Sequence, residues 1–331
     1  MYLDSSHGLR IKAALHTHTS NSDGLLPPEK VVEYYGKRGY SVIVLTDHGK
    51  ITRVKNRKDL LVVPGVELSC GRTLLGEPYH ILAVGLDDER VLRIRDVQEV
   101  IDYINSGGGI AIVAHPYWSG AVHQDLVKLR GFTAIEIFNY GCEVEVSKGF
   151  SLHIWDSLLT RGVKVWGVAV DDAHRYLLPP LDADGGWVVV HAEDVDLDHV
   201  LKSLKEGRFY SSTGPAFTKI RYDHGVLEVE TEGVKRISVI SSNGRGLPVD
   251  MNTIKWLSKI DERNGYEISI NNVNSDGLCI TVSLGKTSIE THVEDDRIKR
   301  LVVENGKWEG YIRLEVADAR GRKAWSNPIF L

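Results

Sequence analysis

The sequence predicts an α/β fold followed by an antiparallel β domain, and three observations predict it. Before GRFYSSTGPAFT (207–218), short apolar runs alternate with amphipathic stretches, the pattern of strands packed under helices. After it the apolar period shifts to two, with Asn-Gly, Asp-Gly and Arg-Gly turn signals. The 331 residues, 42% hydrophobic and 26% charged, suit about two soluble globular domains of common size. The expected boundaries are 1–210 and 211–331.

The elements follow in order. LRIKAALHTHT (9–19) is a strand. Pro27 and Pro28 open a helix that Gly39 closes, since proline suits a first turn and glycine an end. YSVIVLTDH (40–48) and LLVVPGVELS (60–69) are buried strands, and PYHILAVG (78–85) follows. VLRIRDVQEVIDYINSGGG (91–109) is a helix stopped by glycines. IAIVAHP (110–116), FTAIEIFN (132–139) and VKVWGVAVDDAH (163–174) are strands. AVHQDLVKLRG (121–131) and VSKGFSLHIWDSLLTRG (146–162) are the helices between them, and GWVVVHAED (186–194) with DLDHVLKSLKEG (196–207) makes a last pair. About seven such units fit parallel strands in a barrel better than an open sheet. The later runs, among them KIRYDHGVLEVETEG (219–233), VKRISVISSNG (234–244), YEISINNVNSDG (266–277) and YIRLEVADARG (311–321), read as a small antiparallel β-sandwich.

Bulk properties narrow the function. The three cysteines, Cys70, Cys142 and Cys279, are dispersed and odd in number, which suits buried thiols in a reducing compartment. No apolar run reaches the length of a membrane span, and the N-terminus lacks a signal-peptide layout, so a cytoplasmic location is the default. A net charge of −5 argues against broad nucleic-acid binding. Trp118, Trp155, Trp166, Trp187, Trp256, Trp308 and Trp325 read as core residues.

Metal-type side chains gather at the strand ends. They are His16, His18 and Asp23; His48; Glu67; His80; His115; and Asp172 with His174. Residues i and i+2 of a strand point to one side, so His16 with His18, and Asp172 with His174, can each present two groups to one cluster. In a β/α barrel the C-terminal strand ends share the face that carries the active site. Each residue has an ordinary reading when taken singly. A strand-end histidine can bond a carbonyl, Asp47 can cap a loop, and Asp23-Gly24 can be a turn. His-x-His alone arises about 0.5 times by chance in a chain of this composition, so the pair is a weak motif. Nine such residues on one face are not plausibly chance.

The set HTHTSNSDG, LTDHG, VPGVELS, PYHILAVG, AHP and VDDAH, in that order over residues 10 to 205, resembles the PHP superfamily of polymerase and histidinol phosphatase domains. The resemblance implies a distorted (β/α)7 barrel with a two- or three-metal centre. It implies that Glu67 bridges two ions, one also held by His16, His18 and Asp172, the other by His80 and His115. Asp23, His48 and His174 would hold a third. Glu67, Asp172 and His174 would be the catalytic residues. Where the family has Ser-Asp-Ala-His this chain has Asp171-Asp172-Ala173-His174, which adds a negative charge beside the centre. GRFYSSTGPAF and the C-terminal IRLEVADARGRKAWSNPIFL look like the tail of the carbaryl-hydrolase-like branch.

The imidazole and carboxylate donors suit Zn, Mn or Fe and disfavour Ca²⁺. The expected activity is hydrolysis of a small phosphomonoester by a metal-bridging hydroxide. Lys50, Arg72 and Arg175 are candidates for phosphate contact, or else solvated charges. Glu136 and Asn139 are candidates to orient a ligand histidine, or else to cap a loop. Three rivals stand beside this reading. The same centre could cleave an ester, amide or carbamate, which an apolar cleft poor in Arg and Lys would favour. A nuclease is disfavoured by the acidic charge. A non-catalytic, metal-stabilised module would bind metal without turnover. For the second domain the expected role is packing against the barrel or a homo-oligomer contact.

Overall fold

A computed structural model describes residues 2–4, 8–257, 267–272 and 277–331. The chain divides into two compact units. One is Gly8–Ser211; the other is formed by Ser212–Leu331 with the N-terminal strand β1 (Tyr2–Asp4). That strand pairs antiparallel with β11 (Phe217–Asp223), so the N-terminal segment belongs to the second unit and not to the first, as a boundary at residue 210 had it.

In the first unit, strands β2 (Leu9–Ala14), β3 (Val42–Leu45), β4 (Leu61–Cys70), β5 (Tyr79–Val84), β6 (Ile110–Val113), β7 (Ala134–Asn139) and β8 (Trp166–Val170) pair in chain order. β9 (Trp187–Ala192) lies antiparallel on the free side of β2, and β10 (Phe209–Ser212) lies beside β9. The pairs β2–β3, β3–β4, β6–β7 and β7–β8 are parallel. β5 is antiparallel to both its neighbours. This departs from uniform β/α alternation, because the eight residues between β4 and β5 are too few for a crossover helix and the chain turns straight back. Beyond the regular strands, Thr17 and Ala173 form a parallel bridge. There the His18 N–H donates to the Ala173 carbonyl and the Asp172 N–H to the His16 carbonyl, each at 3.0 Å. The ends of β2 and β8 are thereby joined.

Alternation explains the packing. Ala13, Leu15, Val42 and Val44 point to one core with Leu82, Ile112, Val168 and Val170. Ala14, Ile43 and Leu45 point the other way, onto Val31, Val32 and Tyr35 of α1 (Pro28–Gly36). β3 is therefore apolar at every position, as a strand covered on both faces must be. α2 (Val97–Ser106) buries Val97, Val100, Ile101 and Ile104 and is capped by Asp96. α3 (His123–Leu126) is a single turn, shorter than its sequence suggested. The expected helix 146–162 is in fact α5 (Leu152–Thr160), preceded by a separate α4 (Tyr140–Val146) that ends at Ser147 in the left-handed region. α6 (Leu197–Lys205) follows β9.

The second unit is antiparallel. β11, β12 (Val226–Val234), β18 (Arg297–Glu304), β17 (Thr287–Glu294), β16 (Gly277–Leu284) and β15 (Glu267–Asn272) form one sheet with β1. β14 (Gly246–Asp250), β13 (Arg236–Ile240) and β19 (Tyr311–Ala317) pair in a second, with β20 (Lys323–Ser326) and β21 (Ile329–Phe330) on β19. Asp295 and Asp296 both take positive φ between β17 and β18, the geometry of a tight hairpin turn. The turn expected at 273–276 and His7 lie outside the described residues. Helix α7 (Met251–Leu257) interrupts the β pattern and carries Trp256, 62% exposed and not a core residue as expected. Trp308, Trp166 and Trp187 are half-buried, whereas Trp155 and Trp325 are fully enclosed.

Candidate metal centre

Strand alternation sets the first pair. Thr17 turns away, its hydroxyl donating to the Val44 carbonyl, while His16 and His18 on either side face the other way and are completely buried. Glu67 lies inside β4, three residues before its end, and pairs in register with Leu82 of β5. His80 is the second residue of β5. Because β5 runs antiparallel, its beginning and not its end reaches the face where the parallel strands finish. His115 and Asp172 are each the second residue after the end of β6 and of β8, with φ of 25° and 55°. Positive φ costs a residue with a Cβ, and two such positions here are the kind of strain that functional sites retain.

The nine residues converge. His16 Nε2, His18 Nε2, Glu67 Oε2 and Asp172 Oδ1 form one knot: the two nitrogens are 3.0 Å apart, and each lies 3.0–3.1 Å from both oxygens. The other Glu67 oxygen, Oε1, is 2.7 Å from His80 Nδ1 and 3.0 Å from His115 Nε2. A third group is looser and more open. Asp23 lies 3.6 Å from His18 Nδ1, 3.6 Å from His48 Nε2 and 3.4 Å from His174 Nε2. His48 Nδ1 also reaches Glu67 Oε2 at 3.3 Å, so His48 stands between the groups.

These donors fit divalent cations. Adjacent ligands at about 2.0–2.1 Å from one ion lie about 3 Å apart, the spacing of the first knot. His16 gives its Nδ1–H to Glu136, so its Nε2 presents a lone pair toward His18 Nε2 at 3.0 Å, a place where one proton or one shared cation fits. The electrostatics agree. Burial alone would lower the His18 pKa, but the hydrogen bonds that Asp172 and Glu67 accept from it overcome this and raise it to about 9. His16 and His115 are likewise raised against burial by the surrounding carboxylates. Glu67 and Asp172 are held well below the carboxylate range, against burial, mainly by His16. The cavity thus draws in positive charge, as protons or as metal ions.

A shell of hydrogen bonds aims these groups. Glu136 Oε1 meets His16 Nδ1 at 2.7 Å, which leaves Nε2 bare toward the knot; Oε2 accepts from the His115 N–H at 2.7 Å and from Asn139 at 2.9 Å. Asn139 also donates to Asp172 Oδ2 at 3.0 Å and caps α4 through Cys142 N–H. Asp47 accepts from Thr19, Ser22 and Thr52, and so ties down the loop bearing Asp23. Asp182, buried eight residues beyond His174, accepts the N–H groups of His174, Arg175 and Tyr176 at 2.7–2.9 Å. Gly24 lies so close to the His18 carbonyl that a Cβ would sit 2.6 Å from it. Asp171 does not act on the centre as expected. Its carboxylate accepts from Tyr35 and from the N–H groups of Asp184, Gly185 and Gly186, and burial raises its pKa to about 6.

The cleft above the knot encloses about 570 Å³. Lys50 and Arg72 do not line it; both are exposed, and Arg72 bonds the Gly76 carbonyl. Arg175 lines it, with Nε paired to Glu145 at 3.0 Å. Leu25, Cys142, Glu145 and Trp118 also line it and were not singled out as site residues from sequence. Trp118 is 42% exposed and stands against His115 and His80, not in the core. Its place two residues after Ala-His-Pro was the available signal. The three cysteines are buried and unpaired. No helix among the described residues is long and apolar enough to cross a membrane.

No protein-family model matches the chain. An uncharacterized protein of Methanocaldococcus jannaschii is 29% identical over 118 residues, 32% of this chain and 68% of that protein. An amidohydrolase of Chromobacterium violaceum aligns with 60% of this chain and 96% of its own, at 17% identity and TM-score 0.39. A two-domain protein of Bacteroides vulgatus, described as containing a predicted PHP-like metal-dependent phosphoesterase, aligns over 99% of this chain and 96% of its own, at 16% identity and TM-score 0.52. By that likeness across both units, this chain has a PHP-like fold.

Proposed function

We propose that this protein is a metal-dependent hydrolase, and within that class a phosphoesterase acting on a small phosphomonoester. The observation that carries the proposal is the division of the buried Glu67 carboxylate, Oε2 toward His16 and His18 and Oε1 toward His80 and His115. The seven strands and the Thr17–Ala173 bridge support reading the first unit as a distorted (β/α)7 barrel, with a sandwich-like β unit after it.

In this reading Glu67, His16, His18 and Asp172 would hold one ion, and Glu67, His80 and His115 a second. Asp23, His48 and His174 would hold a third. Such ions would supply charge stabilisation to phosphoryl oxygens and an activated water. The remaining work belongs to the chain. Glu136 keeps the His16 Nδ1 proton, and the Asp172 carbonyl, 2.8 Å from His174 Nδ1, keeps that of His174, so both rings turn an unprotonated Nε2 toward the centre. The buried walls exclude bulk water from the knot. Hydrolysis breaks the P–O bond to the leaving group, water supplies the new phosphate oxygen, and the leaving alkoxide takes up the released proton. A cleft of this volume suits a small molecule.

A second reading is favoured by one observation. Among the described residues, Arg175 is the one Lys or Arg that lines the cleft, and Glu145 already engages it. That suits an uncharged ester, amide or carbamate, in keeping with the carbaryl-hydrolase-like resemblance. The test counts metals in protein purified without chelator and assays p-nitrophenyl phosphate beside p-nitrophenyl acetate, with His18→Ala as control. Two or three ions and phosphate release lost in the variant are expected. Acetate cleavage without phosphate release would shift the assignment to the carbonyl hydrolase, and folded protein without metal would overturn both.

A further inference from the structure

One wall of the cleft is not used by the nine donors. Trp118 leaves 42% of its surface exposed, a large apolar area for a side chain in a recess. Its ring is edge-on to His115, with centroids 5.0 Å apart at 73°, and tilted against His80 at 5.8 Å. These are the two imidazoles that flank Glu67 Oε1. The backbone beneath the indole is fixed. The Ser119 N–H donates to the His115 carbonyl at 3.1 Å, the Ala121 N–H to Pro116 at 2.9 Å, and buried Ser119 meets His115 Nδ1 through its hydroxyl at 3.1 Å. Trp118 is therefore displayed by a turn bonded on both sides of it, and its position is set before any ligand arrives.

The rest of the lining has the same character. Leu25, 52% exposed, enters from the His174 side, where its N–H donates to the His174 carbonyl at 2.8 Å. Gly141 and Cys142 add uncharged surface; no Cβ could be added at Gly141, because the Asp172 carbonyl would lie 2.8 Å from it. The cation Arg175 is bonded to Glu145 and, through Nη1, to the Pro179 carbonyl at 3.4 Å. A second anionic group on a substrate would find no free cation among the described lining residues. A flat uncharged ring would find an indole.

We infer that the cleft selects monoesters whose leaving group is a neutral, planar aromatic ring stacked on Trp118, which makes Trp118 the specificity-determining residue; this rests on the phosphoesterase reading above. The ring would lie beside His80 and His115, and so on the Oε1 side of Glu67. Trp118 offers no donor atom to the reacting centre and meets it only through the rings of His80 and His115, so its contribution falls mainly on discrimination between substrates.

The test compares 1-naphthyl phosphate with glycerol 3-phosphate as substrates, and separately measures binding of 1-naphthylmethylphosphonate against methylphosphonate by titration calorimetry. Wild type, Trp118→Phe and Trp118→Ala are used, all loaded with metal. The expected result is a naphthyl preference of about tenfold or more in kcat/KM, expressed mainly in KM. Trp118→Ala should lose most of that preference and Trp118→Phe keep most of it, with the phosphonates following the same order. Equal use of both phosphates by wild type, or a preference unchanged in Trp118→Ala, would overturn the inference while leaving the phosphoesterase reading in place. Hydrolysis of neither phosphate, with Trp118-dependent binding of the naphthyl phosphonate intact, would overturn the phosphoesterase reading and sustain the aromatic subsite. Absence of both would overturn both.

Discussion

Glu136 shows how much a residue outside the donor set decides. Its two oxygens fix the His16 ring and the His115 backbone together. Glu136→Gln keeps the shape but can no longer hold both protons, and metal affinity should fall tenfold to a hundredfold, read by equilibrium dialysis, with far-UV circular dichroism unchanged. Gly24→Ala should lower metal occupancy as well, because its new methyl meets the His18 carbonyl. His191 offers a test away from the centre. Its Nε2 is buried without a hydrogen-bond partner among the described residues, and burial, with the Arg10 charge, lowers its pKa from 6.5 to about 4. A histidine depressed in the folded state contributes stability that is complete above pH 6.5 and is lost as pH falls toward 4. Relative to His191→Phe, wild type should lose up to about 3 kcal/mol over that window, measured by urea unfolding. The polar residues that the structure brings together were legible because each stands out against an apolar strand. Trp118, Glu145 and Asp182 were not. A tryptophan reads as core unless the turn that turns it outward is known, and Asp182 reaches its partners only through the fold of a loop.

At the scale of elements, strand periodicity marked the central strands, and turn residues marked the later hairpins. The direction of β5 was not written in its own sequence. It follows from the length of the loop before it, which also explains why His80 stands at the start of a strand while His16, His48, His115 and Asp172 follow strand ends. The break between α4 and α5 was hidden because 146–162 reads as one amphipathic stretch; it depends on Ser147 adopting φ of 57° and on Asn139 capping α4. Ser147→Gly, at an exposed left-handed position, should stabilise the protein by up to about 1 kcal/mol in urea unfolding. Asn139→Ala should cost more than the roughly 1 kcal/mol of a lost cap, because the Glu136 and Asp172 bonds go with it.

At the scale of the molecule, the first unit places three buried carboxylates, Glu67, Glu136 and Asp172, among its clustered imidazoles, an arrangement that charge must balance. On the proposed reading, metal would belong to its stability as well as its chemistry. A chelator should lower the unfolding temperature of Gly8–Ser211, by a shift equivalent to about 2.7 kcal/mol if metal is held at a hundred times its dissociation constant. The two-part organisation was visible from the change of period near residue 207, whereas the transfer of β1 to the second unit is a long-range pairing that no local pattern reports. The most direct test of the central claim is anomalous diffraction from crystals grown with zinc or manganese. The account predicts one peak among Glu67 Oε2, His16, His18 and Asp172, and another among Glu67 Oε1, His80 and His115. Well-ordered side chains at all these positions with no anomalous peak between them would contradict it.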